Sequence, residues 1–264
     1  MRHPVPILMY HEIADRHQST SRLAVSRRDW ADQLRLLHEQ RYQAVTTFDL
    51  AESLSGDSGF PERVVSLTFD DGYADFYHAA LPLLAEYGFR ATVFVTTGWV
   101  AGGCRTAGKE PPGPMMSWSQ LRDAADSGIE IASHSHSHPQ LDRVSATRLG
   151  EELRVSKEQI EDRLGIPVRG VAYPFGYFNA KVKEATREAG YDYGCAVTNS
   201  LIDCDFDLFA LPRLTVRRST GIDAFAKMAS AGNVRGVLFK DRMMSRGWAA
   251  VRRSQAAARS LSRV

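Results

Sequence analysis

Short apolar runs rich in β-branched and aromatic residues alternate with helix-like segments about seven times along the chain. This alternation restricts the fold more than any other feature. The runs are residues 5–10, 64–69, 91–97, 129–132, 168–173, 193–197 and 211–216. Their continuous apolar character is typical of strands that are buried on both faces. The pattern predicts a parallel sheet covered by helices, which fits either a closed barrel or an open doubly wound sheet.

Helical segments lie between most of these runs. The predicted helices cover residues 28–40, 74–87, 119–127, 145–164, 180–189 and 222–230. Gly88 and Gly190 suit the position after a helix, where the left-handed conformation is common. Because no linker-like stretch precedes about residue 232, we expect a single domain.

Composition and cysteine usage narrow the class of protein. Of 264 residues, 44% are hydrophobic and 24% are charged, as in ordinary globular domains. No apolar run approaches the roughly 18 residues that a membrane-spanning helix needs, and residues 5–10 are too short for a signal peptide. The three cysteines match no zinc-binding spacing, so we expect reduced thiols in a cytoplasmic protein.

Two adjacent carboxylates follow the run 64–69. Asp70 and Asp71 precede Gly72 at the carboxyl end of this predicted strand, where parallel α/β folds place their sites. Two neighbouring carboxylates are costly to bury unless a cation or hydrogen bonds compensate them. A metal would let one serve as ligand and the other as base. A helix N-cap within an ordinary Asp-Gly turn is the competing interpretation.

A histidine-rich segment, Ser-His-Ser-His-Ser-His-Pro, follows the run 129–132. Imidazole is the commonest protein ligand of zinc-like metals. His134 and His138 are four residues apart, so one helical turn would place both on one face and direct His136 elsewhere. Two histidines and one aspartate would form an open three-ligand site with room for water and substrate.

A tight turn is predicted after the run 168–173, within the sequence Ala-Tyr-Pro-Phe-Gly-Tyr-Phe-Asn. Such a turn can direct a backbone N–H toward a developing oxyanion, and its aromatic rings can stack on a sugar. The candidate substrate-binding or oxyanion residues are therefore Tyr173, Pro174, Phe175 and Gly176. A purely structural aromatic turn is the alternative.

These three motifs, in this order and at these intervals, resemble those of the polysaccharide deacetylases of carbohydrate esterase family four. The resemblance covers roughly residues 5–216. It implies a distorted (β/α)7 barrel that hydrolyses N-acetyl groups on N-acetylhexosamine units of a glycan or glycan precursor. It also implies that Asp70 is the general base and that the turn at Phe175 supplies an oxyanion N–H. The implied ligands of a divalent metal, usually Zn2+, are Asp71, His134 and His138.

Two positions depart from the usual family pattern. No histidine follows His138, although a Leu-x-x-His motif near the C-terminus normally supplies the general acid. A Leu-Met-Tyr-His sequence ends the first run instead, which resembles circularly permuted deacetylases of exopolysaccharide biosynthesis, so we expect His11 to be the acid. Ala172 stands where the arginine that orients the base is usual. Arg213 is our candidate for that role, and Arg169 is a second one.

Other functions are compatible with the same motifs. The barrel could hydrolyse a non-sugar amide or an O-acetyl ester, because a fold does not determine its substrate. A carbohydrate-binding protein without activity is a third interpretation. Nucleic acid is not an expected partner, because the basic residues are not interleaved with aromatic ones.

The C-terminal residues carry an excess of positive charge. The net charge is +2, yet residues 240–264 hold seven cationic side chains and one acidic one. On a helical projection the apolar residues of this segment fall on one side and most arginines on the other. We therefore expect a barrel over 1–235 and a basic amphipathic tail over 236–264. The tail suits peripheral contact with an anionic membrane surface, although a terminal helix that packs on the barrel fits as well.

Overall fold

The computed structural model describes residues 4–15, 17–56, 63–101, 111–202, 206–232 and 236. Over these residues, eight strands form one parallel sheet. They are β1 (Ile7–Tyr10), β2 (Gln43–Val45), β3 (Val64–Phe69), β4 (Thr92–Val95), β5 (Glu130–Ser133), β6 (Gly170–Ala172), β7 (Tyr193–Cys195) and β8 (Leu214–Thr215). The order is β7-β6-β5-β4-β3-β1-β8. β2 pairs with the first half of β3, and β4 pairs with the second half.

The sheet curls until its two edges meet. Cys195, at the end of β7, forms a parallel bridge with Leu211, just before β8. The N–H of Leu211 donates to the carbonyl of Gly194 at 2.8 Å, and the N–H of Ala196 donates to the carbonyl of Leu211 at 2.9 Å. β1 therefore lies between β3 and β8 within a closed ring. The single domain is a distorted (β/α)7 barrel, which confirms the expected fold class.

Helices cover the outside of the ring. They are α1 (Arg27–Glu39), α2 (Thr47–Ser55), α3 (Leu81–Tyr87), α4 (Trp118–Asp126), α5 (Ala146–Leu164), α6 (Ala180–Glu188) and α7 (Ile222–Ala229). Polar side chains cap most of their N-termini, because a side-chain oxygen can accept a hydrogen bond from an otherwise unsatisfied N–H. These caps are Ser26, Thr46, Ser117, Ser145 and Asn179. α3 is preceded by a π-helical turn over Phe76–Ala80, so the predicted helix 74–87 is not a regular α-helix throughout.

Alternation along β3 shows how the barrel positions its site. Val65, Leu67 and Phe69 belong to the large apolar cluster shared with the helices. Ser66 and Thr68 lie on the opposite face of the strand, since successive side chains point to opposite sides. The next residue on that inner face is Asp70. The strand therefore carries this carboxylate into the mouth of the barrel rather than toward solvent.

The interior of the barrel is narrow and depends on small residues. Tyr193 lies across it, and its phenol donates to Glu130 at 2.8 Å. A Cβ at Gly170 would lie only 1.9 Å from the Tyr193 ring, so glycine is required there.

Two elements were not predicted from the sequence. β2 has three residues and begins with an exposed glutamine, which is too short and too polar to stand out as a strand. α2 follows it directly, and its capping box at Thr46 and Asp49 is the local signal that identifies it. β7 and β8 are shorter than the predicted runs 193–197 and 211–216 because only part of each run pairs in the sheet.

Across the described part of the chain, the helices are too short or too polar to cross a membrane. The predicted basic tail over 236–264 lies outside the described residues except for position 236.

Candidate metal and catalytic site

The candidate site lies at the carboxyl edge of the sheet. His11 follows β1, Asp70 and Asp71 follow β3, and His134 follows β5. Arg213 immediately precedes β8, and its long side chain reaches Asp70 at this edge. In a parallel sheet the carboxyl ends of the strands share one edge, so residues distant in sequence meet there.

Asp70 and Arg213 form a buried two-pronged ion pair. The guanidinium of Arg213 donates to the two carboxylate oxygens of Asp70 at 2.6 and 2.8 Å. The exposed fraction is 3% for Asp70 and 0% for Arg213. Burial alone would raise the pKa of Asp70, but the charge and hydrogen bonds of Arg213 prevail and lower that pKa to about 2. Asp70 is therefore ionised over the whole physiological pH range.

Arg213 is held in place from several sides. Its Nε donates to the carbonyl of Ala196 at 3.3 Å, and its guanidinium lies 5.2 Å from the centre of the Phe94 ring. The second candidate, Arg169, instead pairs with Asp192 at 3.2 Å, where both side chains are about half exposed. The structure therefore brings Arg213, and not Arg169, to the carboxylate of Asp70.

Asp71, His134 and His138 form a compact group with three ligand atoms within 4.8 Å of one another. Oδ1 of Asp71 lies 3.5 Å from Nε2 of His134 and 3.4 Å from Nε2 of His138. The adjacent Asp70 is 3.9 Å from the same His134 nitrogen. The predicted ligands thus converge, and the ion-paired carboxylate is beside them.

A backbone carbonyl orients His134. Nδ1 of its ring is 2.8 Å from the carbonyl of Ala172, the residue that stands where the family arginine is usual. A carbonyl can only accept, so Nδ1 carries the proton and Nε2 presents its lone pair to the cluster. Burial lowers the pKa of His134, which also favours this neutral form.

His138 reaches the cluster by a route that the sequence did not predict. The segment after β5 is a loop rather than a helical turn, because Ser135 and His138 have left-handed φ angles of 64° and 55°. The N–H of His138 donates to Oγ of Ser135 at 3.0 Å. The ring stacks on Trp99, with centroids 4.9 Å apart, and meets the edge of Phe175 at 4.7 Å. Left-handed backbone at non-glycine residues costs about 1–3 kcal/mol each and is concentrated at functional sites.

The electrostatics of Asp71 fit a bound cation. Burial, followed by the charge of Asp70, raises the pKa of Asp71 to about 8. Its buried Oδ1 accepts no hydrogen bond from the described residues. A buried carboxylate oxygen without a donor is destabilising unless a positive charge compensates it. One carboxylate and two imidazoles are also a donor set that zinc-like cations accept.

His11 lies level with Asp70 because Tyr10 is in register with Phe69. Burial lowers the pKa of His11 to about 4, although the nearby charge of Asp70 acts in the opposite direction. Its buried Nδ1 has no hydrogen-bond partner within the described part of the chain. The ring is therefore neutral at pH 7 and next to the carboxylate.

Two of the three N–H groups in the four-residue candidate turn after β6 have backbone partners. The N–H of Tyr173 donates to the carbonyl of Cys195 at 3.0 Å, and the N–H of Gly176 donates to the carbonyl of Tyr173 at 2.7 Å. Pro174 has no N–H. Phe175 alone is left as a candidate backbone donor, and its side chain is 47% exposed beside His138.

The expectation that the Tyr173 side chain binds substrate needs correction. Tyr173 is fully buried, and its phenol donates to the carbonyl of Phe209 at 2.9 Å. Its ring stacks on Phe178 rather than facing the cluster. The alternation of β6 sends the Tyr173 side chain outward, away from the cluster.

Sequence reasoning did not single out two further residues near the cluster. The Tyr73 phenol hydrogen-bonds to the Asp71 side chain, and its position just after Asp-Asp-Gly could have drawn attention to it. Glu152, in α5, contacts the loop between the two histidines. No local pattern signals that role, because the contact depends on how α5 packs on the barrel.

Comparison with known proteins agrees with the fold and the motifs. The family model for polysaccharide deacetylase matches residues 57–194. YxkH of Bacillus subtilis (strain 168), which bears the name of a polysaccharide deacetylase, is 29% identical over 221 residues. That match covers 84% of this chain and 74% of YxkH. The structure of Streptococcus pyogenes deacetylase PplD in complex with acetate has a TM-score of 0.78 at 24% identity, over 87% of this chain and 99% of that one.

A further relative is the poly-beta-1,6-N-acetyl-D-glucosamine N-deacetylase of Escherichia coli (strain K12), which is 23% identical over 256 residues. The match covers 83% of this chain but only 38% of the Escherichia coli protein. The family model spans more than half of this chain and includes both the Asp70-Asp71 pair and the histidine segment. This chain therefore belongs to the polysaccharide deacetylase family.

Proposed function

We propose that the protein is a divalent-metal-dependent hydrolase that removes N-acetyl groups from N-acetylhexosamine units of a glycan or glycan precursor. The observation that carries this proposal is the position of Asp70, ionised and paired with Arg213, beside the cluster of Asp71, His134 and His138. A base next to a three-ligand group is what hydrolysis of an amide by water requires.

Asp71, His134 and His138 would hold the cation, and Zn2+ is our candidate because the donor set suits it. When bound, a divalent cation there would polarise the acetamide carbonyl and lower the pKa of water at the site. The Ala172 carbonyl keeps the His134 lone pair directed at the cluster, and Trp99 and Phe175 confine the ring of His138. These contacts preorganise the ligands before any cation enters.

Asp70 acts as the general base in this proposal. Because Arg213 holds both carboxylate oxygens, Asp70 is fixed in orientation and stays ionised at neutral pH. Its Oδ2 is 3.9 Å from Nε2 of His134, so the carboxylate lies within reach of a water that occupies the cluster. The proton of the attacking water would pass to Asp70 as the carbonyl is attacked.

His11 is our candidate for the group that protonates the departing amine. Its pKa of about 4 means that the free ring is neutral, so it must gain a proton before it can donate one. The register of β1 and β3 places it beside Asp70, which receives a proton in the preceding step. We infer that this proton reaches the amine by way of His11.

Phe175 supplies the backbone N–H that would stabilise the oxyanion. The other amides of the turn are either absent or already bonded. The exposed Phe175 ring also stacks with Tyr177, with centroids 6.0 Å apart and planes at 21°. Paired rings at the rim of a polar site suit the apolar face of a sugar, which supports a glycan substrate.

The sugar is inferred from a relative. The Escherichia coli relative is named for poly-beta-1,6-N-acetyl-D-glucosamine, and this chain spans 38% of its length. We therefore propose β-1,6-linked N-acetylglucosamine as the first substrate to test. We further propose a cytoplasmic location at the inner membrane surface, supported by the cysteine usage and by the basic residues 240–264.

The decisive experiment measures metal binding and acetate release on one preparation. Metal-stripped protein reloaded with Zn2+ is incubated with β-1,6- and β-1,4-linked N-acetylglucosamine oligosaccharides. We expect acetate release that needs the metal and is lost in Asp70→Asn. If the protein binds metal but hydrolyses only simple esters or non-sugar amides, the glycan substrate is wrong and one of these compounds is the substrate class. Failure to bind metal would favour a carbohydrate-binding protein without activity.

A further inference from the structure

Glu152 is a buried carboxylate in α5 that faces the loop between the two histidine ligands. Only 5% of this residue is exposed. One carboxylate oxygen accepts the N–H of Ser137 at 2.7 Å, and the other accepts the Ser137 hydroxyl. The backbone carbonyl of Glu152 accepts the N–H of His136 at 3.2 Å. One helix residue therefore makes three hydrogen bonds to two consecutive loop residues.

A second residue of α5 holds the other end of the same loop. Ser156 lies one helical turn after Glu152, and its hydroxyl is 2.5 Å from that of Ser133. The Ser133 hydroxyl in turn accepts the N–H of Ser135 at 3.1 Å. The same face of α5 thus fixes the loop both near His134 and near His138.

The loop needs such support because its backbone is strained. Ser135 and His138 both adopt left-handed φ, which non-glycine residues avoid unless surrounding contacts impose it. His134 has its own anchors, since its N–H donates to the carbonyl of Val95 and its ring to that of Ala172. Glu152 of α5 holds the loop residues that follow His134, through its hydrogen bonds to His136 and Ser137. Thr97 and Gly98 also donate their N–H groups to the carbonyls of Ser135 and His136.

We propose that Glu152 is a positioning residue that sets the affinity of the Asp71, His134 and His138 cluster for a divalent cation. This inference rests on the proposed function, because it assumes that the cluster binds a cation. The hydrogen bonds described for Glu152 reach the loop at His136 and Ser137. Glu152 acts by holding the Ser137 backbone so that the adjacent His138 keeps the conformation in which its Nε2 lies 3.4 Å from Asp71.

Charge alone does not explain the burial of Glu152. Arg148 approaches it at 3.6 Å and also donates to the Ser137 hydroxyl at 3.4 Å, but the Arg148 side chain is 57% exposed. An exposed partner contributes little, so the hydrogen bonds to Ser137 are the main interactions of the carboxylate. A neutral side chain of the same shape that can still accept from Ser137 should therefore preserve the function.

The test compares two replacements of similar size. Glu152→Gln can accept the Ser137 N–H, and its amide can donate to the Ser137 hydroxyl, so it keeps both contacts. Glu152→Met fills the same space but accepts neither hydrogen bond. Glu151→Met, at the exposed neighbouring position of α5, is the matched control. The Kd for Zn2+ is measured on each metal-free protein by competition with a chromophoric chelator, and the Tm of each metal-free protein checks that it is folded.

We expect Glu152→Met to weaken Zn2+ binding about 10- to 100-fold, the range found for groups that orient metal ligands. Glu152→Gln should stay within about threefold of the wild type, and Glu151→Met should match it. Ser137→Ala removes the hydrogen bond from the Ser137 hydroxyl to Glu152 and should weaken Zn2+ binding by a smaller factor. This variant tests the proposal if Glu152→Met does not fold.

Each outcome separates this inference from the proposed function. Wild-type affinity in folded Glu152→Met, or equal weakening in the Met and Gln variants, would overturn the role of Glu152 and leave the metal site intact. Absence of Zn2+ binding by the wild type would overturn both.

Discussion

Arg213 holds both carboxylate oxygens of Asp70, at 2.6 and 2.8 Å, although 143 residues separate the two in sequence. In the usual family pattern an arginine at the position of Ala172 orients this aspartate. Here the guanidinium enters from the segment before β8, on the other side of β1. The Ala172 position contributes its carbonyl to His134 instead. The arginine partner of Asp70 thus comes from the segment before β8 rather than from the end of β6.

Removal of the Arg213 charge should move the acidic limb of the pH–rate profile. Arg213 lowers the pKa of Asp70 to about 2, so in Arg213→Gln burial dominates and this pKa rises. Because the base must be ionised, kcat/KM should begin to fall at a higher pH than in the wild type. We expect a loss of about 100-fold or more at pH 7 as well. Arg169→Gln, which removes a surface arginine, is the control and should keep the wild-type profile.

Asp71 should make the metal-free protein less stable as the pH rises. Its folded pKa of about 8 is above the unfolded value near 4, so the fold favours the neutral acid. The contribution of Asp71 to the free energy of unfolding is therefore most favourable below the unfolded pKa. It falls between about pH 4 and pH 8 and stays constant above pH 8. Asp71→Asn should lose this dependence and have the higher Tm at pH 8 in a chelator. Added Zn2+ should make the wild type the protein with the higher Tm. The same pH dependence of Tm in both proteins would contradict the raised pKa of Asp71.

His11→Ala should lower kcat by about 100- to 10,000-fold, the range for loss of a general acid, while the bound metal content stays unchanged. The reason is that His11 lies beside Asp70 but is not one of the three clustered ligands. His17→Ala replaces an exposed histidine and serves as the control. Steady-state kinetics with metal analysis checks this, and an unchanged kcat would falsify the acid role.

Gly176→Ala should damage the turn at Phe175, and Gly190→Ala should not. Both glycines have left-handed φ, 72° and 78°, so alanine is strained by about 1–2 kcal/mol at either position. A Cβ at Gly176 would lie 2.4 Å from Val197, whereas the nearest atom to a Cβ at Gly190 is 3.8 Å away. The additional crowding at Gly176 should lower both Tm and kcat. Similar effects of the two substitutions would show that φ strain alone matters.

Deletion of residues 240–264 should reduce binding to anionic liposomes without changing activity on a soluble oligosaccharide. The segment holds seven cationic side chains and one acidic one, and anionic lipid attracts such a segment. Cosedimentation with vesicles of anionic and of neutral lipid measures this. Equal binding of the full-length and shortened proteins to anionic vesicles would remove the membrane proposal.

Local sequence patterns predicted most strands of the fold and the metal-ligand cluster of the candidate site. Seven of the eight strands of the described chain coincide with apolar runs, because strands buried on both faces are uniformly apolar. β2 was missed since it has three residues and an exposed first position. The cluster of Asp71, His134 and His138 could be anticipated because its residues follow strands of one parallel sheet, whose ends share an edge.

The sequence by itself determined where the strands occur along the chain, which residue types follow them and which glycines permit the turns. Tertiary structure decided which distant residues meet. β1 pairs with both β3 and β8, and this places His11 beside Asp70 and brings Arg213 within hydrogen-bond distance of it. It also decided that Tyr173 points away from the site and that Glu152 supports the histidine loop. Closure of the sheet and packing of α5 are long-range events, so no local pattern encodes these contacts.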